Sequence, residues 1–517
     1  MPRSFRGWTK STLLETDASV IVGSIPALYR PSAMIHNSYP DLYAKFGSTP
    51  GAWGMCRAPI LTGSSGNPID YTATGTNLAA GDAAMLSRAA TFFADDMVTT
   101  PLSRGTLLIR FDTIQHRSSN PSGNWTKIGA LDTSPGGAYY QTALAFFTYV
   151  FVTLGIKPAQ YIGDTGVMVH CHNEVEDINF WSGTAAEYKA MLHRIYDAMH
   201  TVAPTAKLIA PTVQQYQRSL PGESVTATRS VCDYFAANGL TLGGIDIHSF
   251  QSVESPTVPK SNLAEAQTMI QQSLAANNMP LDTIVIQTEF QNNTPAHPPE
   301  ANVRDDYRCA AYFASHLFES RRTGFSGACM AALPNLGNSP YPELFPVATE
   351  SQPEASWGML AYGFPAVGWA VYYHCNKPSL MLMKLFSLWS GGQEVFSNRS
   401  ATNVGSSGDG FGLFSAVQGN NVFQLVHRWD RVGGIQDVVL NVKNPGKTLY
   451  QIRVYRFNYN TNSPKYVFDN SAGTPDQRAV LAVAAGDNPT YSTPAVSLPL
   501  VLTMEGREVA LIQYIYS

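Results

Sequence analysis

Two glutamates stand where short apolar runs end. Glu174 closes Val167-Met-Val-His-Cys-His-Asn-Glu174, and Glu289 closes Thr283-Ile-Val-Ile-Gln-Thr-Glu289. Two carboxylates facing each other across a cleft are the equipment for breaking a glycosidic bond. One arrives protonated and donates to the leaving oxygen. The other is ionised, and either attacks carbon or activates water. Glu176, two residues past Glu174, is a rival acid that lacks a preceding Asn. Other polar groups end similar runs: Arg57, Arg110-Phe-Asp112 and Asp246-Ile-His248-Ser-Phe250. His116 and Gln214-Gln215 follow two more.

These residues need a scaffold that brings distant runs to one mouth. Between residues 17 and 390, β-type runs alternate with helical patterns. Strands are predicted at Val20–Gly23, Trp53–Arg57, Thr106–Asp112, Val167–His172, Lys207–Ala210, Gly244–His248, Thr283–Thr288 and Gly324–Met330. Helices are predicted between them, at Tyr139–Gly155, Thr184–His200, Asn262–Ala275, Asp305–Ser320 and Leu380–Trp389. The helix from Thr184 is the clearest: Tyr188, Met191, Leu192, Ile195, Tyr196 and Met199 mark one buried face. Thr184 with Glu187 reads as a capping box. Strands separated by helices pair in parallel. Eight such units predict a closed (β/α)8 barrel over residues 17–390, with function at the carboxyl ends of its strands. Strands four and seven, which carry the two glutamates, then lie on opposite sides of the barrel.

After Gly392 the pattern turns to strands alone: Gly410–Val417, Asn421–His427, Asp437–Val442, Gln451–Phe457, Val480–Val483, Ala495–Leu502 and Val509–Tyr516. This predicts a C-terminal antiparallel β-sandwich over residues 391–517, with residues 1–16 as an added packing segment.

The chain has 517 residues, 14% of them charged and 44% hydrophobic, and a formal net charge of −4. Without a basic field, nucleic acid is excluded as a partner. Disorder is excluded by the apolar content. No apolar run reaches the ~18 residues of a membrane span. The richest, Ala143–Leu154, reads as a buried helix. The N-terminus is polar, which favours a cytoplasmic location over secretion. The six cysteines, Cys56, Cys171, Cys232, Cys309, Cys329 and Cys375, form no C-x-x-C and read as buried thiols, with one or two disulfides as the alternative. Asn124, Asn292 and Asn398 open glycosylation sequons, a motif frequent by chance.

Asn173-Glu174 after strand four, with Thr288-Glu289-Phe290 after strand seven, resembles the clan A glycoside hydrolases. There an Asn-Glu pair carries the acid/base, and a Glu ending strand seven is the nucleophile. Ile245-Asp-Ile-His248-Ser-Phe250 resembles the His-x-Tyr segment of family 39, the β-xylosidases and their relatives. Gly358-Met-Leu, Asn376-Lys-Pro and the helix Leu380–Trp389 resemble that family's join to its sandwich. The resemblance implies that Glu289 attacks the anomeric carbon. Glu174 would protonate the leaving oxygen and then deprotonate water, with the carboxyl groups ~5–5.5 Å apart. It implies that Asn173 bonds the sugar 2-hydroxyl. Arg57 would hold Glu289 ionised, or form a structural ion pair. His248 would bond substrate or Glu289, or be a core histidine. Trp181 would stack on a sugar or simply pack; Phe250 and His172 complete the expected substrate contacts. The chain departs from the family at several points. It reads His172-Asn-Glu174-Val175 in place of Trp-Asn-Glu-Pro, and Phe250 in place of a Tyr. Ala331-Ala332 follow Met330 where a Trp is usual, and no His follows Arg57.

The partner so implied is a carbohydrate, hydrolysed without a cofactor or metal. Two other readings compete. One is a sugar-binding barrel that has lost catalysis. The other is a metal-dependent hydrolase built on His170-x-His172, half of an imidazole metal site. The latter would need histidines after strands five and six and an Asp after strand eight. Strand five instead ends in Ala210-Pro-Thr, and strand eight shows no Asp.

Overall fold

The computed structural model describes residues 11–34, 50–57, 83–94, 96–111, 114–115, 126–127, 133–177, 181, 183–251, 260–280, 282–292, 307–330, 360–362, 374–376, 378–403, 410–430, 434–458, 491–494 and 498–517. Thr12–Ser24 forms β1. Eight short strands then make a closed, all-parallel barrel: β2 Ala33–Met34, β3 Met55–Arg57, β4 Thr106–Phe111, β5 Gly166–Cys171, β6 Leu208–Val213, β7 Gly244–Gln251, β8 Ile284–Asn292 and β9 Gly327–Met330. β9 closes onto β2 through Met330 and Ala33. Every residue of β3, β5, β6 and β9 is buried. That is why these strands read as continuous apolar runs and not as alternating ones.

The predicted first barrel strand, Val20–Gly23, is corrected. It belongs to β1, which lies in the second sheet. There it pairs antiparallel with β10 (Gln393–Ser397) and parallel with β13 (Gln436–Lys443). Thr12 and Leu14 are buried while Leu13 is exposed, and Val20, Ile21 and Val22 are 46–48% exposed. A barrel strand is buried on both faces, so this segment lacks the character of one. The real first strand has two residues, too few for any periodicity. Residues 17–24 thus pack with the C-terminal strands, beyond the 1–16 expected.

The barrel helices carry apolar stripes. α4, Ala185–Val202, follows α1 (Ala83–Ala94), α2 (Asp96–Arg104) and α3 (Ala138–Phe147). Thr184 caps it by accepting from the Glu187 amide, while Glu187 accepts from the Thr184 amide, the predicted box. Tyr188, Met191, Leu192, Ile195 and Met199 are buried. Tyr196, at the stripe's margin, is half-buried and stacks on His200. Ala143–Leu154 is buried on one side only: Phe146, Phe147 and Val150 are enclosed, but Val152 is 61% exposed. α5 (Ala227–Ala237) and α6 (Lys260–Ala276) follow.

α7, Tyr307–Thr323, is different, because all residues from Cys309 to Ser320 are buried. It lies between barrel and second sheet. Phe313 stacks with Phe290 of β8, while Tyr312 and Phe318 meet Trp429 and His427 of β12 (Asn421–Trp429). Its buried polar residues are matched within this layer: His316 and Ser320 bond Gln287, and Glu319 pairs with Arg322. α8, Pro378–Leu385, runs into a 3-10 turn whose Trp389 donates its indole N–H to the Tyr29 carbonyl at 2.8 Å.

The second sheet has nine strands. Besides β1, β10, β12 and β13 it contains β11 (Phe411–Gln418), β14 (Leu449–Phe457), β15 (Tyr491–Pro494), β16 (Leu500–Met504) and β17 (Arg507–Tyr516). Their order is β15-β14-β17-β12-β11-β10-β1-β13-β16, antiparallel except for β1 with β13. The sheet doubles over. Leu14, Val438 and Leu440 from one end share a core with Leu413, Val426, Ile452 and Ile512 from the other. Buried polar groups inside it are matched: Gln424 donates to Thr16 at 2.7 Å and accepts from Tyr514 at 2.7 Å. The predicted strand Val480–Val483 lies outside the described residues, as does Ala331-Ala332.

Candidate active site

Five barrel strands deliver charged or polar side chains to one mouth. Arg57 ends β3, Arg110 lies on β4, and Asn173 and Glu174 follow β5. Asp246 and His248 share one face of β7, two residues apart, and Thr288 and Glu289 come from β8. The structure brings Arg57, Asn173, Glu174, His248 and Glu289 together.

The turn after β5 is strained. His172 has φ 65° and Glu174 φ 42°, both in the left-handed region that L-residues avoid. Such conformations persist only when the surroundings hold them. Here Val175 N–H donates to the Thr212 carbonyl at 3.3 Å, and Glu176 Oε1 accepts from the Gln214 and Gln215 amides at 2.6 and 2.8 Å. Glu176, the rival acid, is therefore occupied in pinning the turn to the loop after β6. Gln214 and Gln215 meet it through their backbone.

A bulge places the other glutamate. β8 pairs Ile286 with Asp246 and Glu289 with His248, three residues against two. The extra residue lets Thr288 and Glu289 both face the barrel interior. Gln287 and Phe290 point outward, Gln287 bonding Ser320 and His316, and Phe290 stacking on His316. The Thr288 amide donates to Asp246 Oδ1 at 2.8 Å, and its hydroxyl to Asp246 Oδ2 at 2.5 Å.

Arg57 bridges the two halves. One guanidinium nitrogen pairs with Glu289 Oε1, and the other donates to Asn173 Oδ1 at 2.5 Å. Arg110 donates to the same Asn173 oxygen at 3.2 Å. Two cations on Oδ1 assign it as the oxygen, so the Asn173 amide nitrogen is the donor left to face a ligand. His248 Nδ1 lies 2.7 Å from Glu174 Oε1 and 3.7 Å from Glu289 Oε2, and one oxygen of each glutamate comes within 4.8 Å of the other.

Charge distribution follows from these contacts. Burial raises the Glu289 carboxyl, but His248 and Arg57 outweigh it and hold it below its ordinary value. Burial opposes charge on His248 as well, yet Glu289, Glu174 and Asp246 hold its pKa above the usual histidine value. His170 goes the other way: burial lowers it to about 4, despite the 2.7 Å bond to Asp246.

Two expected substrate contacts are revised. Trp181 is 2% exposed. It packs edge-on against His172 and Tyr188, and its N–H donates to the Thr184 carbonyl. No face is open to a sugar. His172 is fully buried in the same cluster and supports the Glu174 turn from beneath. The Phe250 side chain, His116 and Asp112 lie outside the described residues. The metal pair is undone as well: His170 turns to Asp246 and Thr212, and His172 to Trp181. Glu174, His248 and Glu289 do offer three donor atoms within 4.8 Å. Arg57 already holds Glu289, however, and with Arg110 it sets two guanidinium charges beside these donors, which opposes a bound cation. Asp246, Thr288 and Thr212 were not predicted as site residues. The alternation Gly244-Ile-Asp246-Ile-His248 was the available signal for Asp246, since it shares the inward phase of His248. Cys56, Cys171, Cys232, Cys309 and Cys329 are buried and form no disulfide among the described residues; the Cys375 side chain lies outside them.

No family model and no curated protein matches this chain. Solved structures do. The GH39 enzyme from Xanthomonas axonopodis pv. citri superimposes with a TM-score of 0.68 at 13% identity, over 100% of each chain. A monomeric β-xylosidase from Caulobacter crescentus CB15 gives 0.67 at 13% identity, over 98% of this chain and 100% of that one. A bacterial orthologue of human α-L-iduronidase gives 0.64 at 13%, over 98% and 84%. This chain shares their fold. Barrel and sandwich both have counterparts, as the family 39 resemblance implied. At such identity the likeness speaks for the fold alone.

Proposed function

We propose that the protein is a retaining glycoside hydrolase that cleaves O-glycosidic bonds of a carbohydrate by double displacement. Glu289 is the nucleophile and Glu174 the acid/base. The observation that carries this reading is the carboxylate pair: oxygens within 4.8 Å, one of them held ionised by Arg57. Carboxyl groups ~5–5.5 Å apart leave no room for a water and suit covalent attack; inverting pairs stand ~6.5–9.5 Å apart. In the first step the Glu289 carboxylate bonds the anomeric carbon as Glu174 gives its proton to the departing oxygen. In the second, Glu174 takes a proton from the water that displaces Glu289. Asn173, oriented by the two arginines, donates to the sugar 2-hydroxyl. Glycosidases among the structural neighbours support the same reading.

The test is a panel of aryl glycosides and oligosaccharides with the wild type, Glu289→Gln and Glu174→Gln. Glu289→Gln is expected to lose at least ~10⁴-fold in kcat/KM on any sugar the wild type hydrolyses, the scale on which catalytic nucleophiles act. Turnover by the wild type that survives Glu289→Gln would overturn the proposal.

A further inference from the structure

Beneath the two glutamates lies a chain of polar groups that the two-carboxylate mechanism does not use. Asp246 is fully buried on β7. Its Oδ2 accepts from the Thr288 hydroxyl at 2.5 Å and from His170 Nε2 at 2.7 Å. A carboxylate only accepts, so the single Thr288 hydroxyl proton points at Asp246. Thr288 Oγ1 then turns a lone pair toward His248 Nε2, 3.1 Å away. A lone pair there requires a proton on Nε2. The other ring nitrogen, Nδ1, faces Glu174 Oε1 at 2.7 Å. His170 follows the same rule: Nε2 carries its proton toward Asp246, and Nδ1, which has no hydrogen-bond partner, stays bare.

We propose that Asp246 and Thr288 are positioning residues that fix the Nε2–H form of His248, so that Nδ1 and Glu174 share one proton. The inference rests on the glycosidase reading and deepens it. The pair His248–Glu174 holds that proton either as imidazolium with carboxylate or as imidazole with carboxylic acid. As the glycosidic bond breaks and the Glu289 ester forms, the pair gives one proton to the leaving oxygen. As water cleaves the ester, the pair takes one back. Its surroundings are Glu289 and Thr288 on β8 and Asp246 on β7. Arg57 and Arg110 lie behind Glu289 and Asn173, and His170 lies behind Asp246.

The test uses Thr288→Val, which keeps the shape and removes the lone pair, and Thr288→Ser, which restores it. Losing that acceptor weakens the hold on the Nε2 proton, so the basic limb of kcat/KM moves to lower pH in Thr288→Val and returns in Thr288→Ser. Alkyl glycosides, whose leaving groups need a proton, lose about ten- to a hundredfold, part of the ~10²–10⁴-fold that general acids supply. Dinitrophenyl glycosides, whose leaving groups need none, lose several-fold less. A purely structural defect would lower both equally. Independently of turnover, ¹⁵N NMR of histidine-labelled wild type should show His248, assigned by its loss in His248→Gln, with Nε2 protonated. A bare Nε2 in the wild type, equal losses on both substrates, or an unmoved basic limb would overturn the relay while leaving the glycosidase intact. If no glycoside is hydrolysed in a Glu289-dependent manner, the proposed function fails instead, whatever the imidazole spectrum shows.

Discussion

Glu289 and Arg57 form the contact on which charge in the site depends. Removing the guanidinium leaves burial opposed by fewer cations, so the Glu289 carboxyl must rise. Arg57→Ala is therefore predicted to move the acid limb of kcat/KM to higher pH, read from a pH–rate profile; a limb that stays put would mean Arg57 does not hold the charge. His170 carries a second pH effect, of opposite origin. Its native pKa of about 4 lies below the unfolded value, so below pH 6.5 the unfolded chain binds a proton that the native chain refuses. Stability contributed by this group is complete above pH 6.5 and falls as pH drops toward 4. Between pH 6.5 and 5 the loss amounts to about 2 kcal/mol at 1.36 kcal/mol per unit. Urea unfolding at the two pH values should show a smaller acid loss in His170→Gln than in the wild type. The two glutamates were legible in the sequence because each ends an apolar run. The grip of Asp246 on Thr288 was not, since it depends on pairing between β7 and β8.

At the scale of elements, legibility followed length and period. The helix α4 announces itself through its stripe and its capping box, and both are present. Thr184→Ala should cost about 1 kcal/mol, the usual worth of such a cap, measured by chemical denaturation. Strand β1 misled because a short β-branched run looks the same in any sheet; only the exposure of Val20, Ile21 and Val22 separates it from a barrel strand. β2 is invisible at two residues. The bulge in β8 is beyond sequence reasoning too, yet it decides the site. It turns Thr288 and Glu289 inward together, and without it one of them would face α7. Trp181 and His172 were expected at the substrate for their nearness to Glu174 in sequence. The left-handed turn sends both rings beneath it instead.

At the scale of the whole molecule, barrel and sheet are packed together through shared elements. α7 is buried from both sides, and β1 crosses from the N-terminus into the middle of the C-terminal sheet. A fragment of residues 391–517 lacks β1, leaving β10 and β13 without the strand that joins them. It is predicted to be unfolded by circular dichroism when made alone, whereas the full chain should melt in a single transition; a folded fragment would contradict this interdependence. The covalent route proposed for the two closely held carboxylates has a direct measurement. The protein is incubated with the 2,4-dinitrophenyl 2-deoxy-2-fluoro glycoside of a sugar it turns over, digested, and its peptides are mapped by mass spectrometry. One glycosyl adduct is predicted, on Glu289. An adduct on another residue, or none with a sugar that is nonetheless turned over, would contradict it.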